Sequence, residues 1–285
     1  MLKQIFTLAP LCLALVACSD QPTSSTDSAE QSSTATTVQY SVADGAESRF
    51  DIYTDYELNS DLSHLSDNQK RMISLLIDAS VIMDDLFWQQ AFPRDRDEFL
   101  SSVPESAKEF GRINYGPWDR LNGDKPFIAE FSEKPAGANF YPADMTKPEF
   151  EAFDNDQKDS LYTLIRRDSN GQLTTVPYSR AYQQQLHKAA DLLRQAADLA
   201  ENQDFANYLR LRADAFLSNE YQPSDLAWMD MTGNDIDVVI GPIENYEDQL
   251  FGYKTAFESY VLIKDKAWSE RLAKYAQFLP ELQRG

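Results

Sequence analysis

Along residues 66–91 the apolar positions keep a helical period. Met72, Leu75, Leu76, Ala79, Ile82, Met83 and Leu86 recur every three or four residues, with Gln90 on the same face, so one side of a 3.6-residue turn is apolar. Ser66-Asp67-Asn68-Gln69 has the form of a capping box, in which a hydroxyl and an amide satisfy each other's first-turn backbone donors. The spacing predicts a long helix to about Ala91, ended by Pro93. Residues 94–145 are denser in Gly, Pro and Asn and predict ordered loops with short helical turns.

Further on the pattern changes. Two short β-prone runs, 161–165 and 173–176, flank Asp168-Ser169-Asn170-Gly171, and Asn-Gly supplies the positive φ angles of a tight turn, so a hairpin is predicted. A helix is predicted over 179–200, with Tyr182, Leu186, Ala189, Leu193, Ala196 and Ala200 on one face, and a second over 204–218. Their short connection predicts an antiparallel pair. One such pair cannot build a tetratricopeptide-like solenoid, which needs several repeats. Strands are predicted at 237–240 and 257–263, bracketing a loop, and a last helix over 267–278.

These elements give an α+β, helix-dominant class, with long helices around a small mixed or antiparallel sheet. The last helix stops at Pro280, five residues before the end of the chain, and the outline reads as incomplete at the C-terminus.

The first residues read as an address. Lys3 precedes an apolar stretch over 5–17, the layout of a secretory signal peptide. Leu15-Val16-Ala17-Cys18 resembles the bacterial lipobox, which implies removal of residues 1–17 and a lipid on the thiol of Cys18. Residue 19 is Ser rather than the Asp that favours inner-membrane retention, so the expected location is the cell envelope, on the periplasmic face of the outer membrane. Residues 18–39 then form a tether. In 19–37, 11 of 19 residues are Ser or Thr and none is aromatic or a large aliphatic, too little apolar area to offset ordering entropy. The folded region is expected over 40–285.

Charge narrows the partners. A formal net charge of -20 offers no positive field for phosphate backbones, so nucleic acid is excluded as a partner. The only cysteines are Cys12 and Cys18 and the only histidines His64 and His187, too few for a Cys/His zinc site within this chain. Neither a His-Glu-x-x-His, a Walker A, a Gly-x-Gly-x-x-Gly nor a Gly-x-Ser-x-Gly motif occurs. His187 lies off the apolar stripe of its helix and His64 just before a cap, so both read as solvated. The acidic run at 154–159 lacks the turn glycine and the twelfth-position glutamate of a calcium loop.

The segment Ile-Gly-Pro-Ile-Glu-Asn-Tyr-Glu-Asp-Gln-Leu-Phe-Gly at 240–252 is different. It follows a buried strand and combines a Gly-Pro turn, two aromatics and three carboxylates. If the chain stays extended, Glu244 and Tyr246 project to the same side. A carboxylate beside a phenol can bind an ammonium group and donate a hydrogen bond to a developing oxyanion.

Residues 240–261, with Ile-Glu-x-Tyr followed by Asp, Phe-Gly and a Phe-Glu strand, resemble a segment of the M49 metallopeptidases, the dipeptidyl peptidase III family. Asn-Tyr-Gly-Pro-Trp-Asp-Arg-Leu-Asn-Gly at 114–123 and Pro-Ala-Gly-Ala-Asn-Phe-Tyr-Pro-Ala-Asp-Met at 135–145 resemble loops of its bacterial branch, and the likeness runs from about 66 to 280. The resemblance implies that Glu244 holds the free amino terminus of a peptide substrate and that Tyr246 stabilises the transition state. Glu247 stands where animal members carry Arg. The family's zinc is held by a His-Glu-x-x-Gly-His helix and a further glutamate, and residues 1–285 contain no such motif. The expectation is therefore the substrate-binding N-terminal portion of such an enzyme, without cofactor or catalysis of its own and partnered by a zinc-bearing C-terminal half. The alternative is a non-catalytic periplasmic lipoprotein that binds peptides or a partner.

Overall fold

The computed structural model of the protein describes residues 39–284; the expected signal peptide, Cys18 and nearly all of the tether lie outside them. Helix α1 (Asp67–Ala91) forms as its spacing predicts, and its capping box is complete: Ser66 Oγ accepts from the Gln69 amide while Gln69 Oε1 accepts from the Ser66 N–H. Met72, Leu76, Ala79, Ile82, Met83 and Leu86 are buried. Gln90 continues this face as a buried amide with both ends engaged, donating to the Thr255 carbonyl and accepting from the Phe257 N–H. One side chain thereby fixes the end of α1 to a strand far along the sequence.

Helices α2 (Arg96–Ser102) and α3 (Glu105–Asn114) lead to a tiny ribbon of β1 (Trp118–Asp119) and β2 (Lys125–Pro126). They enclose an aromatic core of Trp88, Phe92, Phe99, Phe110, Trp118 and Phe127, with many edge-to-face contacts such as Phe92 on Trp118 at 5.5 Å and Phe110 on Phe127 at 4.9 Å. A short α4 (Lys147–Ala152) precedes the hairpin of β3 (Thr163–Arg167) and β4 (Leu173–Pro177). The hairpin forms as expected, but of the Asn-Gly pair only Gly171 takes a positive φ, +79°; Asp168 Oδ1 holds the turn by accepting from the N–H groups of Asn170 and Gln172.

The helix expected over 179–200 is broken. It appears as α5 (Tyr178–Ala181) and α6 (Gln183–Leu199), joined at Tyr182 with φ −117° and ψ 28°. Helix α7 (Gln203–Ser218) runs antiparallel to α6, tied by Arg194 to Asp214 at 2.8 Å and Arg210 to Asp198 at 3.0 Å. Buried alanines at 189, 190, 196 and 197 let α6 lie close to its neighbours. Helix α8 (Gln222–Asp230), not anticipated from the pattern, follows.

Strands β5 (Ile236–Glu244) and β6 (Ala256–Ile263) pair antiparallel, with a register irregularity between Pro242 and Glu244. Gly241-Pro242 is therefore not a turn but lies inside β5, which carries on to Glu244. Helix α9 (Lys266–Ala276) follows, and Pro280 sits in the first turn of a further short helix, α10 (Leu279–Leu282), rather than ending the last one. Trp268, Leu272, Tyr275, Leu279 and Leu282 on these two helices remain exposed. The fold is thus helix-dominant α+β, with antiparallel two-stranded ribbons among the described residues.

Candidate functional site

The loop 245–255 between β5 and β6 is built around two adjacent buried carboxylates. Glu247 meets both Arg120, at 2.7 and 3.2 Å, and Lys134, at 2.7 Å. Burial pushes the Glu247 carboxyl up, but the Arg120 and Lys134 cations outweigh it and hold it below the ordinary carboxylate value. Asp248 is also buried and accepts five hydrogen bonds: from the N–H groups of Leu250, Phe251, Tyr253 and Lys254, and from the Tyr141 hydroxyl at 2.7 Å. Asn245 Nδ2 closes the loop on the Gly252 carbonyl at 2.7 Å.

These bonds draw the three sequence motifs together. Arg120 belongs to the stretch 114–123, where its Nε donates to the Asn114 carbonyl and its guanidinium lies over the Phe87 and Tyr115 rings. Tyr141 belongs to 135–145, and that stretch approaches so closely that a Cβ on Gly137 would stand 2.5 Å from the Tyr141 ring and 3.2 Å from Leu250. Phe251 then stacks on Phe150 at 4.4 Å. Behind the loop, Lys254 is fully buried and its ammonium donates to the carbonyls of Lys158 and Ser160 and to Thr163 Oγ1. Desolvation lowers its pKa to about 8, against an opposing pull from Asp248.

Of the three carboxylates expected in the loop, then, two are internal anchors and only Glu244 is exposed. Tyr246 is 59% exposed at the loop tip. The chain does not stay extended through this pair, because β5 ends at Glu244 and residues 246–247 turn. Tyr246 instead borders a cleft of about 270 Å³ with Ser80, Asp84 and Tyr115 on one side and Glu258, Ser259 and Tyr260 of β6 on the other. Across it Ser80 Oγ and Ser259 Oγ are 2.8 Å apart, and the Tyr115 hydroxyl donates to Asp84 at 2.5 Å.

Electrostatics here are one-sided. Burial raises the Tyr246 phenol pKa, and the fields of Glu258, Tyr260, Glu244 and Glu247 add to it, so the hydroxyl keeps its proton at neutral pH. Desolvation and the Glu244 charge raise the Glu258 carboxyl. Among the described residues neither Glu244 nor Glu258 has a cationic partner. Glu258 was only part of a strand signature in the sequence; pairing with Gly241 across the ribbon places it beside Tyr246. The site can receive an ammonium group and donate one phenolic hydrogen bond.

Zinc does not fit the described residues. They contain no group of three His, Cys, Asp or Glu side chains able to hold a metal ion, and His64 and His187 are both exposed.

Residues 144–282 match the model of peptidase family M49. A curated relative, Nudix hydrolase 3 of Arabidopsis thaliana, is 32% identical over 276 residues, covering 75% of this chain and 36% of that protein. Among solved structures, dipeptidyl peptidase III from Caldithrix abyssi has a TM-score of 0.77 and 41% identity, over 82% of this chain and 46% of its own. The enzyme from Corallococcus sp. strain EGB has a TM-score of 0.75 and 36% identity, over 83% and 46%. The chain thus spans less than half the length of each of these relatives. The family match includes the 245–255 loop, and the two solved folds cover 82% and 83% of this chain, so the chain is similar to M49 peptidases and to dipeptidyl peptidase III over the region described above.

Proposed function

We propose that this chain supplies the peptide-binding part of a dipeptidyl peptidase III-like peptidase. Glu244 receives the free amino terminus of a peptide, and Tyr246 donates its hydroxyl to the carbonyl oxygen that gains charge during cleavage. The observation that carries this reading is the loop tip itself: an unpaired carboxylate and a protonated phenol presented to solvent by a loop whose next two residues are buried anchors. Glu258 adds a second negative charge facing the ammonium group.

Catalysis belongs to the chain only together with a zinc-bearing C-terminal half, since the described residues hold no ligand set. The exposed apolar residues Trp268, Leu272 and Tyr275 of α9 and Leu279 and Leu282 of α10 support such a partner as their cover. On sequence grounds alone we also assign a lipid anchor at Cys18 and a place on the periplasmic face of the outer membrane. Cys18→Ser should leave an unprocessed precursor without acyl label, and label entering that variant would refute the anchor.

Calorimetry with a short peptide and its N-acetylated form tests the binding role. The free amine should bind at least about tenfold more tightly, and Glu244→Gln should remove that preference. Equal binding of both forms would overturn the assignment of Glu244. In the zinc-loaded assembly, Tyr246→Phe should lower kcat about 100- to 1000-fold with the fold intact; a change in KM alone would make Tyr246 a packing residue.

A further inference from the structure

A second pocket, of about 400 Å³, opens where α7 and α8 meet β5, and it shares no lining residue with the cleft at Tyr246. Its walls are aromatic and aliphatic: Tyr162, Tyr208, Tyr221, Trp228, Pro242 and Ile243. Into this apolar setting α7 delivers a cation. The Arg212 side chain is 5% exposed, and its guanidinium lies 5.5 Å from the Tyr208 ring centre and 5.4 Å from that of Tyr221.

The polar accounting of this pocket does not close. Arg212 Nη2 donates to Asp225 Oδ1, on a side chain that is half exposed at the rim. Arg212 Nε and the Tyr221 hydroxyl are both buried and have no hydrogen-bond partner among the described residues. A guanidinium carries five N–H donors in a planar fork, and leaving buried donors unmade is costly. By contrast, the hydroxyl of neighbouring Tyr208 is satisfied by the Val238 carbonyl. Two unpartnered donors on residues that line one pocket therefore describe the complement of an acceptor with two oxygens. Aromatic walls call for an apolar body behind it.

Phosphate-rich ligands are the wrong class. A chain of net charge -20 with Asp225 at the pocket rim repels a polyanion, whereas one carboxylate matches one guanidinium fork. We propose that this pocket binds a monocarboxylate carrying an aromatic or branched aliphatic body, its oxygens held by Arg212 and Tyr221. This site is independent of the peptide-end role assigned to Glu244 and Tyr246. Two sources share that chemistry, a free small acid and the C-terminus of a hydrophobic peptide.

Calorimetry and tryptophan fluorescence on the full chain test it, with N-acetylphenylalanine, its carboxamide, N-acetyl-Ala-Ala-Phe and N-acetyl-Ala-Ala-Phe-amide as probes, the acetyl group keeping the peptides from the loop tip. The acids should bind and the amides should bind about tenfold more weakly or worse. Arg212→Lys should weaken the acids by a similar factor, because an ammonium cannot reproduce the fork. Tyr221→Phe keeps the ring and should cost about fivefold, so it serves even if Arg212→Lys does not fold. Glu244→Gln and Tyr246→Phe should leave N-acetylphenylalanine affinity unchanged, which separates failure here from failure at the loop tip. Tighter binding of N-acetyl-Ala-Ala-Phe than of N-acetylphenylalanine identifies a peptide terminus as the occupant; the reverse identifies a free acid. Folded protein that binds neither acid, or binds acid and amide alike, would overturn the proposal and leave the donors to water.

Discussion

Arg120 and Glu247, 127 positions apart, meet as a bidentate ion pair with the carboxylate almost wholly buried and Lys134 completing its charge. The pair joins the stretch 114–123 to the loop at the end of β5. Removing one member of a buried pair strands the other, so Glu247→Gln should cost about 3 kcal/mol at pH 7. The sign with pH is fixed by the lowered carboxyl pKa. Stability from this group is present above the unfolded value of 4.5 and is lost as pH falls through the folded one. Urea unfolding should therefore separate wild type and variant at pH 7 and bring them together near the acid limit. A constant gap at every pH would show that the cost is packing, not charge.

Tyr141 supplies one of five donors to Asp248, the other four being backbone N–H groups. Tyr141→Phe should thus be mild, about 1.5 kcal/mol, because Asp248 retains its backbone donors. Asp248→Ala frees four backbone donors at once and should raise amide exchange throughout 249–254. Protection unchanged in that segment would contradict the anchoring role.

Gly137 has no room for a methyl group, since a Cβ would overlap the Tyr141 ring. Gly137→Ala should destabilise by about 1–3 kcal/mol, as overpacking does. Gly45→Ala is a useful contrast, with nothing near its would-be Cβ but a φ of +75°. Its cost comes from backbone strain alone, so a Tyr141→Leu background should relieve the Gly137 variant and not the Gly45 one.

Lys254 titrates near pH 8 when folded, against 10.5 for its ordinary value. Between those values the unfolded chain holds a proton that the folded chain has released, so stability rises with pH across that window. Wild type should gain on Lys254→Met from pH 8 to 10.5, by about 3 kcal/mol at most. Below pH 8 the difference should be flat. Denaturation midpoints that stay parallel up to pH 10.5 would place the folded pKa at its ordinary value.

Local periodicity made α1, the hairpin and the α6–α7 pair readable, because each is set by neighbours within a few residues. The break at Tyr182 was not, since it lets Tyr178 and Tyr182 both pack on Phe257, at 5.5 and 5.7 Å, a contact from far along the chain. Helix α8 escaped notice because it buries little, with Leu226 and Met229 exposed. Glu244 and Tyr246 were readable as a motif, yet the division of labour among Glu244, Glu247 and Asp248 depends on Arg120, Lys134 and Tyr141. Gly241 looked like a turn residue; its φ of +129° instead serves a strand that leaves space for Phe216, Arg212 and Tyr221.

The adjacency of Glu247 and Asp248 has a consequence for how such a loop can change. Two clamps on neighbouring residues, gripping different parts of the fold, fix both the position and the heading of the backbone just upstream. Glu244 and Tyr246 then sit on a mount, closed further by Asn245, whose rigidity owes nothing to their own side chains. Substitutions at Glu244 and Tyr246 can change what the loop tip presents to solvent at almost no folding cost, so surface chemistry and folding are written in separate residues and can be varied one at a time.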